Sequence, residues 1–312
     1  ERIILDLRGN QGGLYEAGCE IADEFIPKDE IIAYTKGKLK NYETKYVSKE
    51  NKLLEKIPLI ILINDKSASA SEIVAGAIQD LDRGLIVGET SAGKGLVQKY
   101  SEFRDSSAIR HTIARYYTFS GRCIQKPYVK DKIKIDDQIK MQIDENQYDN
   151  FNKLVDNNEG RTDLPIFKSK NGRHLIGGGG IYPDYYVPED TTTILSKVIK
   201  NKGFLLEYVF KYLNNMRDSI INKYSNINEF NKSFHVSDFM INELSALTKA
   251  NKIWNEEMFK KDKEYLRNQI KATIAFCIWG NEGYYYVIIP NDNQIKRAIE
   301  LFPLADKMII NN

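Results

Sequence analysis

The chain has 312 residues, with 45 basic and 43 acidic side chains and a formal net charge of +2 at pH 7. This length allows two or three domains, since domains commonly contain about 100–200 residues. The apolar content of 42% and the charged content of 28% are typical of a globular chain. The near-balanced charge argues against a general nucleic-acid binder, which carries a concentrated basic face.

The N-terminal residues and the cysteines exclude further classes. No apolar run approaches the roughly 20 residues that a membrane-spanning helix needs. The first residues, ERIILDLRGN, lack the features of a signal peptide and have the composition of a strand, so we expect a piece of a longer protein, cut on its N-terminal side. Cys19, Cys123 and Cys277 are too few and too scattered for a disulfide framework or a zinc cluster, which favours buried structural thiols.

The first part of the chain alternates strand and helix patterns. Apolar runs typical of buried strands occur at residues 2–7, 58–63 and 84–88. Helical spacing of apolar residues follows the first two of these runs, at 14–25 and 69–81. Alternating patterns predict further short strands at 31–34, 42–47, 96–103 and 108–117. This order predicts an α/β core.

Beyond residue 128 the composition changes twice. Residues 129–160 are rich in Asp, Asn and Lys, and strand character returns at 167–187 around a glycine run typical of a tight turn. From Thr191 onwards the apolar periodicity is helical. We therefore expect three regions. They are a core at 1–128, a polar excursion with strands returning to the core at 129–190, and a mostly helical C-terminal region at 191–312.

The most informative stretch, NDKSASASEIVAGAIQD at 64–80, passes from a strand through a small-residue turn into a helix. A serine at such a junction lies at a helix N-terminus, where free backbone amides and the helix dipole stabilise negative charge. An oxyanion could therefore be held there, which suits a serine nucleophile. The alternative is an ordinary helix N-cap, for which serine is a preferred residue.

A candidate base follows at Lys94, between Gly93 and Gly95. Glycines on both sides let the backbone pass close to another part of the chain. A neutral lysine can be the base that a serine nucleophile needs. Because an ordinary lysine has a pKa of about 10.4, this role near neutral pH requires desolvation in an apolar pocket. We expect the neighbouring apolar residues at 85–87 and 96–97 to build that pocket.

Other chemistries have weaker support. GETSAGK at 88–94 fits the start of a P-loop, but Gly95 stands where the Mg²⁺-binding Ser or Thr would be, and a strand pattern follows. His111, His174 and His235 form no H-E-x-x-H pattern, and no G-x-S-x-G elbow is present. We therefore expect neither a Ser-His-Asp triad nor a metal centre, and we predict no metal or organic cofactor.

Three segments then resemble a known family in both order and spacing. LDLRGNQGG at 5–13, NDKSASASEIVAGAIQD at 64–80 and GETSAGKGLVQ at 88–98 resemble the C-terminal processing peptidases, or tail-specific proteases, of serine peptidase family S41. TIARYYTFSGRCIQ at 112–125 resembles the strand that follows in that family. NGRHLIGGGGIYPDYYVPED at 171–190 and the helical tail are similar to the longer members found in Bacteroidetes-type bacteria. The resemblance implies a crotonase/ClpP-like α/β peptidase core with a mostly helical C-terminal region.

The resemblance also implies a Ser–Lys dyad. It places the nucleophile on Ser69 and the base on Lys94, which lies 25 positions later. Ser67 and Ser71 flank the nucleophile and rank lower. The family's glutamine matches Gln98, which on a continuous strand would point to the same face as Lys94 and hold its amine in place.

The implied oxyanion hole consists of two backbone amides. One belongs to Ala70, directly after the nucleophile, and the other to Gly12 or Gly13, between which the sequence does not choose. This chain departs from the family where Thr90-Ser91-Ala92 replaces the usual Pro-Thr-Phe before the lysine. The loss of that aromatic residue could alter the pocket around Lys94 without changing the dyad.

The predicted activity is a serine endopeptidase that cleaves proteins near their C-termini by acyl transfer. Its predicted partners are protein or peptide substrates recognised near the C-terminus, and no nucleic acid. Family members act outside the cytoplasm, which implies a periplasmic or cell-envelope location, and they carry a PDZ domain that would precede this sequence. The alternative is a non-catalytic peptide- or ligand-binding or scaffolding module on the same fold. The sequence leaves open the oligomeric state and the role of residues 191–312.

Overall fold

A computed structural model describes residues 1–49, 52–127, 164–190 and 192–310. The chain divides into two compact units, Glu1–Glu189 with Arg297–Asn312, and Asp190–Lys296. The sequence analysis placed residues after 296 in the C-terminal region, whereas the structure groups them with the first unit. There Arg2 forms a 2.8 Å ion pair with Asp306. The predicted polar excursion at 129–160 lies outside the described residues.

The elements of the first unit begin close to the positions that the sequence predicts. In chain order they are β1 (Ile3–Asp6), α1 (Tyr15–Asp23), β2 (Ile31–Gly37), β3 (Lys45–Val47), β4 (Leu59–Ile63), α2 (Ala70–Asp80), β5 (Leu85–Gly88), β6 (Leu96–Glu102), β7 (Ala108–Thr118), β8 (Ile166–Lys168), β9 (His174–Ile176) and β10 (Tyr185–Tyr186).

A parallel sheet of four strands, in the order β1-β4-β5-β10, forms the centre of the first unit. Every residue of β4 is buried, as expected for an apolar strand covered on both faces. β10 pairs with β5 in parallel, so the segment at 164–190 returns a strand to this sheet. A second sheet is antiparallel, in the order β3-β2-β7-β6, and β8 pairs with β9. The predicted α/β class is confirmed.

Helix α2 is buried along its whole length. Its 11 residues include small and branched apolar side chains on every face, a composition expected of a helix inside a core. Fully burying one such side chain stabilises a fold by roughly 1.5–3 kcal/mol. Its apolar residues share a core cluster with Leu7, Cys19, Ile61, Ile63, Ile86, Ile124 and Ile181. The start of α2 is thereby held firmly at the end of β4.

Two arginines hold the C-terminal end of α2. Arg122 is 1% exposed and donates to Asp80 Oδ1 at 2.6 Å. Arg173 lies before β9, pairs with Asp82 at 2.9 Å and also pairs with Asp184. These cations offset the unfavourable position of Asp80 at the negative end of the helix dipole. The ion pairs also join the returning strands to α2.

The second unit is helical. Its helices are α3 (Ile194–Asn201), α4 (Phe204–Lys223), α5 (Ile227–Ser233), α6 (Asp238–Ala250) and α7 (Glu256–Ile288), and α8 (Asn293–Ile310) follows. Helix α7 is interrupted at Gly280, where φ is +69° and ψ is −154°. The core of this second unit includes stacked and edge-to-face aromatic rings at Tyr224, Phe230 and Phe234. The predicted helical character of this region is confirmed. Among the described residues, none of the helices has the length and apolar content to span a bilayer.

Candidate active site

Ser69 occupies a strained turn directly before α2. Its backbone has φ +58° and ψ −117°, in a region that non-glycine residues rarely adopt. Such a conformation costs on the order of 1–3 kcal/mol and persists only where the surroundings impose it. Ala68 and Ala70 on either side are buried, whereas Ser69 is partly exposed. The turn therefore presents this one serine at a helix N-terminus.

The flanking serines have structural hydrogen bonds instead. Ser67 is fully buried, and its hydroxyl donates to the Leu7 carbonyl at 2.7 Å and accepts from the Asn64 amide at 3.0 Å. The Ser71 hydroxyl donates to the Asn10 carbonyl at 3.0 Å. Both hydroxyls thus tie the loop after β1 to the turn. Their positions favour Ser69 as the reactive member of the three.

A buried carboxylate joins the Ser69 turn to the Lys94 loop. Glu72 has no exposed surface, and its Oε2 accepts from the amides of Ser69 and Lys94, both at 2.8 Å. Its Oε1 accepts from the Gly93 amide at 2.7 Å and from the Ser91 hydroxyl at 2.5 Å. One side chain therefore sets the backbone positions of both predicted dyad residues.

Sequence reasoning missed Glu72, although a signal was present. Ser69-Ala70-Ser71-Glu72 is a capping-box pattern, in which the acidic residue reaches back to the N-cap amide. Burial raises the pKa of the Glu72 carboxyl, and its four hydrogen bonds oppose that change. The ionised form can accept all four hydrogen bonds. It also lies in the first turn of α2, where the helix dipole favours negative charge.

The Lys94 side chain lies in a different environment from the one expected. Lys94 is exposed, and it precedes β6 instead of lying within it. The expected apolar pocket does not enclose Lys94, because the residue is exposed; residues 85–87 are buried within the central sheet as part of β5. The structure thus brings the Lys94 backbone to the Ser69 turn while the residue as a whole remains exposed.

Gln98 lies on β6, is exposed and pairs with Thr112 of β7. The expectation that Lys94 and Gln98 share one strand face is wrong in its stated form. The strand begins at Leu96, and its register with β7 shifts between Val97 and Gln98. An irregularity of this kind re-aims the side chains that follow it.

The glycine turn after β1 packs directly on the nucleophile turn. Gly12 has φ +79°, and a Cβ built on it would lie 2.6 Å from the Ala70 amide nitrogen. Only glycine leaves that amide accessible. The Gly12 amide donates to Asn10 Oδ1 at 2.9 Å, so it is already in use. Ala70 is the first residue of α2, where amides lack an intrahelical acceptor. The geometry therefore favours Gly13 over Gly12 as the second oxyanion donor.

The glycine run at 177–180 braces the Lys94 loop. The Ile181 amide donates to the Ser91 hydroxyl at 2.6 Å, and the Ser91 amide donates to the Ile181 carbonyl at 3.1 Å. A Cβ on Gly180 would lie 2.8 Å from the Ser91 carbonyl oxygen. The glycine run therefore packs closely against the Lys94 loop. This role could not be predicted from the sequence, because it depends on contacts between segments that are distant along the chain.

The remaining polar groups of the described residues bear on the expectations for metals and thiols. In the described ranges, no group of three or more His, Cys, Asp or Glu residues is placed to hold a metal ion. Cys19 is buried and free, and burial raises the pKa of its thiol to about 12. The expectation of a buried structural thiol is confirmed for Cys19, whereas Cys123 and Cys277 are only half-buried.

Residues 1–135 match the family model described as Peptidase family S41. Residues 195–280 match a second model, described as Family of unknown function (DUF8443). The first match contains all the candidate site residues. The resemblance to family S41 predicted from the sequence motifs is confirmed.

Individual relatives agree with that match. The chain is 46% identical over 122 residues to the carboxy-terminal-processing protease of Bartonella bacilliformis, which covers 39% of this chain and 28% of that protein. It is 38% identical over 131 residues to the carboxy-terminal processing protease CtpA of Bacillus subtilis, which covers 42% of this chain and 28% of that protein. This chain thus spans 28% of the length of these relatives. Among solved structures, the photosystem II D1 C-terminal processing protease is 36% identical, with a TM-score of 0.36 over 39% of this chain and 31% of that one.

Proposed function

Residues 1–135 are a peptidase S41 domain, and we propose that this domain is a serine peptidase that uses a Ser69–Lys94 dyad. One observation carries the proposal. The amides of Ser69 and Lys94 donate to the same buried oxygen, Glu72 Oε2, at 2.8 Å each. A loop pair braced in this way holds the two residues of a nucleophile–base pair next to each other.

The proposed reaction is acyl transfer. The Ser69 hydroxyl oxygen attacks the scissile carbonyl carbon while the neutral Lys94 amine takes the hydroxyl proton. Lys94 returns this proton to the leaving amine, which leaves an ester between Ser69 and the acyl part of the substrate. Water then attacks the ester, with Lys94 again accepting a proton, and releases the new C-terminus. The role of Gln98 in orienting the Lys94 amine rests on the family resemblance alone, since Lys94 precedes β6.

The oxyanion of each tetrahedral intermediate would be held by the amides of Ala70 and Gly13. Donors fixed in advance cost no reorganisation during the reaction, and removal of one such donor costs about 10²–10³ in rate. The position of Ala70 supports this assignment, because it is the first residue of α2 and its amide has no intrahelical acceptor.

The exposed position of Lys94 requires that something covers the amine during catalysis. We infer that the bound peptide supplies this cover, since apolar substrate atoms would exclude water and favour the neutral amine.

The names of the curated relatives support cleavage near substrate C-termini. A periplasmic or cell-envelope location remains part of this proposal.

A non-catalytic peptide-binding module is the second candidate function. The exposure of Lys94 favours it, because a binding module needs no desolvated base. The two candidates differ in the reactivity of Ser69, which only the peptidase would activate.

Labelling with a serine-reactive phosphonate tests the choice. The peptidase predicts one labelled residue, Ser69, with the label lost in Ser69→Ala and strongly reduced in Lys94→Met. The control variants Ser101→Ala and Lys99→Met change the same residue types on β6 and should label like the parent. Absence of label from the parent chain, or equal labelling of Ser69→Ala, would reject the dyad and favour the binding module.

A further inference from the structure

The turn after β1 is rich in glycine and exposed. Gly9 and Gly12 have φ of +70° and +79°, and Gly13 follows them. A Cβ built on Gly9 or Gly13 would have no described atom within 4 Å apart from its chain neighbours, so packing does not hold this turn. Because glycine has unusual conformational freedom, such a turn keeps one shape only where hydrogen bonds fix it. The hydrogen bonds of the turn therefore determine where the Gly13 amide lies.

Asn10 uses its side chain and both of its backbone polar groups in these hydrogen bonds. Its Oδ1 accepts from the Gly12 amide at 2.9 Å, and its amide donates to the Leu7 carbonyl at 3.1 Å. Its carbonyl oxygen accepts from the Ala68 amide and from the Ser71 hydroxyl, both at 3.0 Å. Those two donors lie on either side of the proposed nucleophile. One residue thus shapes the glycine turn and also attaches it to the turn that carries the serine.

Both proposed oxyanion donors depend on this arrangement. The Asn10 side chain occupies the Gly12 amide, which leaves the next amide, that of Gly13, for the substrate oxygen. The Asn10 carbonyl holds the same glycine turn against the residues that surround Ala70. An oxyanion hole works through donors that are fixed in advance, and a displacement of about 1 Å in such a site can cost about 10²-fold in rate.

We propose that Asn10 is a positioning residue of the peptidase reaction, which sets the separation of the Gly13 and Ala70 amides that hold the oxyanion. The assignment rests on the proposed function, since it concerns the oxyanion of that reaction. Asn10 itself touches no reacting atom and acts through Gly12 and the Ser69 turn. It is also exposed, and substitutions of exposed residues usually have little effect on stability, so its variants can be compared as folded chains.

Three substitutions of Asn10 separate positioning from a purely structural role. Asn10→Ala removes the acceptor, and we expect kcat of peptide cleavage to fall about 10- to 100-fold with KM unchanged, because the oxyanion forms only in the transition state. Asn10→Ser provides a weaker acceptor for the same kind of turn and should restore part of kcat. Asn10→Asp keeps the acceptor but brings a negative charge close to the oxyanion, so kcat should remain at least about 10-fold below that of the parent.

Hydrogen exchange and a matched control show whether the turn itself has changed. We expect faster exchange at the Gly12 amide in Asn10→Ala and parent-like protection in Asn10→Asp, with urea midpoints close to the parent's in both. Asp105→Ala is the control, because exposed Asp105 likewise accepts from the amide two residues on, that of Ser107, at 3.1 Å. This control should retain the kcat and KM of the parent.

Three outcomes would overturn the positioning role. They are parent-like kcat in Asn10→Ala, parent-like kcat in Asn10→Asp, and a loss of kcat/KM that comes entirely from KM. Failure of the proposed function would instead appear as absence of phosphonate labelling at Ser69 in the parent chain, which would remove the positioning role as well. A labelled parent together with parent-like cleavage by Asn10→Ala would reject the positioning role alone.

Discussion

The Ser69 turn and the Lys94 loop are held by the same carboxylate, yet they differ in how completely the fold determines them. At Ser69 the strained backbone, the buried neighbours and the bonded hydroxyls of Ser67 and Ser71 leave one partly exposed serine. At Lys94 the backbone is fixed through Glu72, but the residue is exposed. Under the proposed function, this difference means that the fold itself prepares Ser69 as the nucleophile, whereas Lys94 as the base depends on substrate for its final environment.

The largest expected effect concerns the far end of α2. Breaking a buried ion pair by removing one partner costs about 3–5 kcal/mol, so Arg122→Ala should lower the free energy of unfolding by that amount. Urea denaturation measures it. Arg2→Ala, which breaks the partly exposed pair with Asp306, is the control and should cost about 1 kcal/mol or less. Equal losses in the two variants would mean that the Arg122–Asp80 pair does not anchor the helix that carries Ser69.

Gly12→Ala should disable the Ser69 turn while leaving the Lys94 loop intact. The added Cβ would lie 2.4 Å from the Ala68 carbonyl oxygen and 2.6 Å from the Ala70 nitrogen, so the Ser69 turn must shift. Because the Ala70 amide is the proposed oxyanion donor, we expect kcat to fall about 10²- to 10³-fold. Gly172→Ala is a matched control, because Gly172 also has positive φ but a Cβ added there would have no atom within 4 Å. An equal fall in kcat in both variants would show that the effect comes from backbone strain at a positive-φ position and not from contact with the Ser69 turn.

Glu72→Gln tests the link between the two regions. A glutamine side chain has one acceptor oxygen, so two of the four donors around Glu72 lose their partner. We expect kcat/KM of peptide cleavage to fall about 10²-fold, the scale of a 1 Å displacement in a catalytic group. Glu16→Gln changes an exposed acidic residue in the first turn of α1 and serves as the control. Activity equal to that of the control would show that the hydrogen bonds from Ser69 and Lys94 to Glu72 are not needed for cleavage.

The smallest expected effect is a pH dependence of stability. Burial raises the pKa of Glu72 in the folded state, so the folded chain binds this proton more tightly than the unfolded chain. Its contribution to stability is therefore greatest at low pH and decreases as pH rises from the ordinary carboxyl range through the folded pKa. Urea titrations at stepped pH should show this decrease in the parent and not in Glu72→Gln. An opposite slope would mean that the four hydrogen bonds outweigh burial.

Local sequence patterns predicted the elements that carry the site. The helix expected at 69–81 is Ala70–Asp80, and the strand expected at 58–63 is Leu59–Ile63. Apolar spacing determines these elements, and that spacing is visible in the sequence. The family resemblance paired Ser69 with Lys94, although the connection of their amides through Glu72 was not foreseen.

What the sequence could not predict depends on contacts distant along the chain. The donors to Glu72 include residues about 20 positions away, and Arg122 reaches Asp80 across 42 positions. The exposure of Lys94 depends on which parts of the chain cover its loop. The apolar residues near Lys94 in the sequence do not determine that cover. The choice between Gly12 and Gly13 required the hydrogen bond from Gly12 to Asn10.

Cleavage of an unstructured apolar peptide by three chains tests the central claim most directly. The parent, Ser69→Ala and Lys94→Met are compared under identical conditions, with product identified by mass spectrometry. The account predicts cleavage by the parent and a loss of at least about 10³-fold in both variants, because a nucleophile and its base act as one unit. Cleavage by Lys94→Met at the parent's rate would contradict it, since the nucleophile would then work without this base.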